Sequence, residues 1–222
     1  MSRILAVLTG VAVCGVFSGC DMLPGMGGGG GGGSYTPTEV PNSMYQGDLN
    51  DAKEGRWMTY ASEAGGSKTS TTVKVVGKDG DNYWVEYWMD LGSMAYGYLF
   101  VVGKDKKITK AWAAPKDGKE WKEIKVTEPP KGAAGDAPKP TIKESDEKKE
   151  VKAGSFQSHK MDVTVNIGGK DYNSQSWFSK DVWKLYTGSE HGGLVAMEAS
   201  GSKTQLDSKG EDGKPTIELP KK

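Results

Sequence analysis

Apart from its carboxylates, this chain has few side chains suited to acid–base, nucleophilic or metal chemistry. It carries two histidines, His159 and His191, and two cysteines, Cys14 and Cys20, in 222 residues. Neither histidine sits beside another metal ligand at useful spacing, whereas zinc asks for three or four Cys, His or carboxylate ligands. Asp79-Gly80-Asp81-Asn82 puts acids in a turn, but the full acidic ladder, central glycine and closing Glu of a calcium loop are missing. A hairpin turn is the better reading. Ser189-Glu190-His191-Gly192-Gly193 could pass for an esterase oxyanion loop, yet no Gly-x-Ser-x-Gly elbow exists to supply a nucleophile. The glycine run 27–33 opens no helix and carries no Lys-Ser or Lys-Thr pair, so it is not a phosphate loop. The sequence therefore predicts no catalytic residue, no metal and no cofactor, and an enzyme ranks last among its readings.

Aromatic side chains are the unusual resource. Seven Trp and nine Tyr stand against four Phe, a balance that favours sheets with amphipathic rings over a helical bundle. They crowd the first half of the chain. In Tyr83–Asp90 both faces carry large rings: Tyr83 and Tyr87 on one, Trp84 and Trp88 on the other. One set can fill a core while the other lines a second apolar surface. That second surface is either a ligand cleft or a face covered by more of the chain. As a cleft, it would use Trp84, Trp88, Tyr98 and Phe100, with Trp57 behind them, for apolar contact, while a few polar groups orient the ligand.

The elements that must position these rings read as strands. Thr71, Val73 and Val75 alternate with Thr72 and Lys74, the period of two of a half-buried strand. Asp79-Gly80 between alternating segments marks a hairpin. Ala95–Val102 is apolar on both faces, as in a central strand covered on each side. Turns at 103–106 and 116–118 continue a meander of about six strands. Further strands follow from Val151, with a turn at Gly168-Gly169-Lys170, segments at 172–178, 193–199 and 203–207, and an edge strand at Ile217 and Leu219. Short helices are expected only within Pro41–Glu54 and around Ser179–Tyr186. The fold class is mainly β: a single antiparallel sheet of about 10–12 strands. The segment 127–150, with four prolines and then a charged run, reads as a disordered insertion.

The N-terminus says where the chain works. Arg3, an apolar run from Ile4 to Phe17 and the small residues Ser18-Gly19 form a secretory signal, too short for the ~20 residues of a spanning helix. Cys20 directly after Ser18-Gly19 resembles the lipobox of bacterial lipoproteins, with Phe17 standing where leucine is more usual. That resemblance implies cleavage before Cys20, lipidation of its thiol, and a place in the bacterial cell envelope facing the periplasm. Asp21 implies inner-membrane retention where the enteric sorting rule applies, and the choice between inner and outer membrane stays open. Residues 20–42 then form the acylated cysteine and a flexible tether, whose glycine run resists ordering. About 20 such residues reach roughly 25 Å. The β domain is expected over 43–220. With Lys plus Arg and Asp plus Glu equal at 29 each, no basic face is predicted for nucleic acid.

An anchored, single antiparallel sheet with paired aromatics also resembles the superfamily of the lipoprotein-localisation factors LolA and LolB. Short segments such as 81–86, 154–156 and 177–182 add to the likeness. The resemblance implies a curved half-barrel, plugged by helices, whose apolar concavity holds acyl chains. The function expected first is therefore a non-enzymatic, membrane-anchored envelope lipoprotein binding a lipid or other apolar ligand in its concave sheet. The alternative is an envelope scaffold lipoprotein with a self-filled core, docking a protein partner by its edge strands or the 127–150 segment. In either case Cys20→Ser should abolish incorporation of labelled fatty acid, so that acyl chains no longer fix the protein to the membrane. Continued labelling of that variant would refute the lipobox reading.

Overall fold

The computed structural model describes residues 36–92, 94–129 and 138–220. The signal segment, Cys20 and the glycine run lie outside the described residues. The strands are β1 (Glu39–Pro41), β2 (Trp57–Ala64), β3 (Ser67–Asp79), β4 (Asn82–Asp90), β5 (Ala95–Val102), β6 (Ile108–Pro115) and β7 (Lys122–Thr127). They continue as β8 (Thr141–Val151), β9 (Gly154–Ile167), β10 (Lys170–Ser179), β11 (Gly188–Ser189), β12 (Gly192–Ala199) and β13 (Ser202–Gly210). One curved, open sheet contains all thirteen, in the order β1-β7-β6-β5-β4-β3-β2-β13-β12-β10-β9-β8, with β11 on β12. Every pairing is antiparallel except that of β1 with β7. The expected mainly β class holds. The meander is β2–β7, and β13 returns beside β2 to join the two halves of the sheet.

Local chemistry explains the turns. Gly80 at the β3–β4 tip has φ 62°, and Gly168 and Gly169 between β9 and β10 have φ 60° and 82°. Only glycine takes these values without steric cost.

Three boundaries differ from the sequence expectation. The folded domain starts before residue 43, because Glu39–Pro41 pairs with Lys125–Thr127 and Val40 is only 1% exposed. The expected disorder of 127–150 fails over its second part, since Thr141–Val151 is strand β8, paired along its own full length with Gly154–Thr164 of β9. A charged segment with little apolar surface is ordered there by ladder hydrogen bonds and side-chain partners. Glu147 accepts from Trp177 Nε1 at 2.5 Å, and Lys149 meets Glu198 at 3.3 Å. Finally, Ile217 and Leu219 form no strand. They lie in an irregular strap, 211–219, that crosses the outer face of the sheet.

The inner face holds the main core. Met58, Tyr60, Val85, Phe100, Leu194 and Leu206 belong to one buried cluster spanning both halves. Six rings run through it in sequence of contact: Tyr60 on Tyr186 at 4.5 Å between centroids, Tyr186 on Tyr87 at 6.1 Å, and Tyr87 on Phe100 at 6.3 Å. Phe100 meets Tyr98 at 5.3 Å, and Tyr98 meets Tyr96 at 5.6 Å. Two irregular segments plug this face where short helices were expected. The first contains Tyr45, Leu49 and a single 3-10 turn at Leu49–Asp51; the second contains Val182, Leu185 and Tyr186. They clasp each other: Asp48 N–H donates to Lys184 O at 2.7 Å, and Lys184 N–H donates to Asp51 Oδ2 at 3.0 Å. The second half curls further, so the β8–β9 hairpin tip reaches β13, with Ala153 N–H on Leu206 O at 3.4 Å and Lys152 on Asp207 at 2.7 Å.

Tyr60 ties the halves together, its hydroxyl donating to Leu194 O at 2.7 Å while the residue is fully buried. Tyr60→Phe should cost about 1–3 kcal/mol, because a buried carbonyl loses its donor, read as a lower urea midpoint at unchanged slope. Burial also holds the hydroxyls of Tyr60, Tyr87 and Tyr45 well above the usual phenol range, with Tyr186 adding to the first two and Asp48 and Asp51 to Tyr45. These groups keep their protons in the fold, whereas an unfolded tyrosine releases its own near pH ~10. Their contribution to stability is thus whole below about pH 10 and lost as pH rises beyond it. In an alkaline titration their phenolate absorbance should appear together with loss of the sheet's circular dichroism. Ionisation of all tyrosines in a still-folded protein would contradict this.

Candidate functional site

The outer face of the first half carries the structure's second buried cluster: Val76, Trp84, Leu99, Val101 and Trp112, with Trp121 and Leu219 packed against it. It arises from strict alternation. Leu99 and Val101 point opposite to Tyr98 and Phe100 on β5, and Trp84 and Trp88 point opposite to Val85 and Tyr87 on β4. Trp84 lies 5.1 Å from Trp112, and Trp88 lies 5.6 Å from Trp121, centroid to centroid. Gly97 makes room for this. A Cβ there would stand 2.7 Å from the Trp88 ring, so the indole lies flat across β5 only because residue 97 has no side chain.

Between these indoles sits Glu86, fully buried. A carboxylate removed from water is costly unless paired and hydrogen-bonded, and Glu86 has four partners. Trp88 Nε1 donates to it at 3.2 Å and Lys74 Nζ stands 3.2 Å away. The other two come from the strap: Thr216 N–H at 2.7 Å and Thr216 Oγ1 at 2.9 Å. Lys74 also donates to Thr216 Oγ1 at 2.6 Å and to Lys214 O at 3.3 Å. Trp121 Nε1 reaches Ile217 O at 3.4 Å. The result is a groove floored with indoles, a carboxylate at its centre, and the chain's own 214–219 segment lying in it.

The base of the strap is fixed separately. Glu211 pairs with Lys53 and with Arg56, both at 3.0 Å, and these cations hold its carboxyl below the usual carboxylate range. Asp212 accepts from Trp57 Nε1 at 2.8 Å, which likewise holds its carboxyl down. Gly213 N–H donates to Gly55 O at 2.8 Å.

The five residues singled out for ligand contact do not come together. Tyr98 and Phe100 stack within the inner core, Trp84 and Trp88 lie on the outer face, and Trp57 holds the base of the strap. The reason is the register Tyr87↔Tyr98 and Val85↔Phe100, which puts Tyr98 and Phe100 on the face opposite Trp84 and Trp88. Sequence reading missed Glu86, Trp112, Trp121 and Thr216. Glu86 did leave a signal: a carboxylate flanked at ±2 by tryptophans on one strand face must find partners if that face is buried. Thr216 left none, because an irregular strap has no period.

The histidines, unconnected in sequence, meet face to face. Their ring centroids lie 3.6 Å apart at 17°. His159 Nδ1 stands 2.9 Å from Asp146 Oδ1, its Nε2 3.6 Å from Glu144 Oε2, and His191 Nε2 3.7 Å from Glu190 Oε1. Stacked rings aim their in-plane lone pairs along parallel planes, so both cannot converge on one ion at ~2.0–2.1 Å. Among the described residues no group of three or more His, Cys, Asp or Glu side chains is placed to hold a metal.

Among known proteins, no family model matches the chain. No curated protein matches it either. Among solved structures it is similar to a Bacteroides fragilis protein described as a "putative exported protein with YMCC-like fold", with a TM-score of 0.34 and 9% identity over 76% of this chain and 99% of that one.

Proposed function

We propose that this chain is a non-enzymatic, lipid-anchored protein of the bacterial cell envelope whose β domain docks other envelope proteins. One observation carries the reading: the chain's own side chains already occupy both faces of the sheet. The inner face is packed by the six-ring series and two clasped segments, and the apolar outer face of the first half by the strap. Ile167, 45% exposed, is the one large hydrophobic left open among the described residues. A lipid carrier needs an apolar chamber with few polar groups. One open depression, between β10, β12 and β13 and of about 480 Å³, is lined by Asn173, Gln175, Glu198, Ser200, Ser202 and Lys203. Such a lining suits hydrogen bonding to a polar partner surface rather than an acyl chain. The helix-plugged acyl chamber that the LolA and LolB resemblance implied is here packed by the chain itself, which favours docking over transport.

The test is lipid mass spectrometry combined with cross-linking on the Cys20→Ser protein secreted into a bacterial periplasm. Docking predicts a folded domain without stoichiometric lipid and discrete cross-linked protein adducts. Recovery of one lipid per chain would overturn it and restore the carrier.

A further inference from the structure

We propose that the outer tryptophan groove is a peptide-docking groove, held shut by the chain's own 214–219 segment as a removable strap. The partner admitted in its place is an irregular, non-helical polypeptide segment carrying a hydroxyl residue followed, one and three positions later, by aliphatic side chains. This deepens the docking reading and rests on it, by naming the surface and the kind of partner.

The strap itself shows what the groove recognises. Thr216 gives both its N–H and its hydroxyl to Glu86, a bidentate clamp on one residue. Ile217 is buried and Leu219 packs on the indole cluster, its Cδ1 3.7 Å from where a Cβ on Gly77 would stand. These are the features of a short peptide, bent at Thr216 and Ile217, read by one polar anchor and apolar contacts.

Two further observations mark the strap as removable. Among the described residues, the 214–219 backbone forms no backbone–backbone hydrogen bond and belongs to no strand. It is held by side chains, so leaving breaks no ladder. Its departure also does not strand Glu86 as a lone buried charge, because Lys74 and Trp88 remain within 3.2 Å. The base at 211–213 has its own anchors, which gives the strap a fixed hinge.

The experiment uses the full chain and a fluorescent peptide of residues 212–220. A variant with Ile217→Asp and Leu219→Asp loosens the strap and leaves the groove unchanged. It should bind the peptide about ten-fold or more tighter than the unaltered chain, a difference of the size expected from the intramolecular competitor. A peptide carrying Thr216→Ala should bind about ten-fold more weakly. A variant that is folded yet does not bind overturns the proposal. Where that variant fails to fold, hydrogen exchange on the unaltered chain decides. Exchange of the Thr216 amide with the sheet still protected supports a removable strap, and exchange only through global unfolding overturns it. The lipid measurement is made with the strap in place, so a failed groove leaves the docking reading standing, while recovered lipid removes both.

Discussion

An apolar side chain at nearly every position of Tyr96–Val102 commits β5 to burial on both sides, and the rest of the architecture follows from that commitment. A sheet face left open there would expose a large apolar patch. Helices do not provide that cover, because this chain has no long segment with a helical period. Cover therefore comes from irregular backbone. Two clasped segments lie on the inside and one strap on the outside, and each must find partners for its own polar groups. The backbone N–H of Asp48 and the carboxylate of Asp51 join the inner segments, and the carboxylate of Glu86 receives the strap.

The two covers differ in how firmly they are attached. The inner segments are tied by backbone bonds and share one core with both halves of the sheet. Beyond its base at 211–213, the strap is tied by polar contacts of one threonine, one indole and one lysine over a floor that keeps its own internal pairing. A buried carboxylate with partners on both sides of an interface is an arrangement that can open without leaving a naked charge, whereas a ring such as Tyr60, bonded across the core to Leu194, cannot. Reversible burial on the outside, over permanent burial on the inside, is what the proposed docking role would require.

Charge plays its part at the edge. Strand β8 is almost wholly polar, which suits the last strand of an open sheet, where apolar side chains would invite pairing with other chains. Its order rests on the ladder with β9, where Asp146 faces the stacked histidine His159, and on a partner across the curl, Glu198 on β12. Hydrophobicity alone reads such a segment as disordered, since it buries too little to offset its entropy. The missing term is the template: a preformed neighbouring strand supplies hydrogen bonds that the isolated segment cannot.

By itself the sequence determined the alternation, the turns and thus the class. Period-two patterning, Asp79-Gly80 and Gly168-Gly169 specified the hairpins because these signals are local. It also put Glu86 between Trp84 and Trp88 on one face. Only the tertiary structure decided which strands lie side by side, and so which aromatics share a surface: one register, Tyr87 with Tyr98, separated the five candidate residues. It likewise brought His159 to His191 and Thr216 to Glu86, contacts across 32 and 130 positions. No local pattern encodes such meetings, because they are set by how far a thirteen-stranded sheet curls before its own chain covers it.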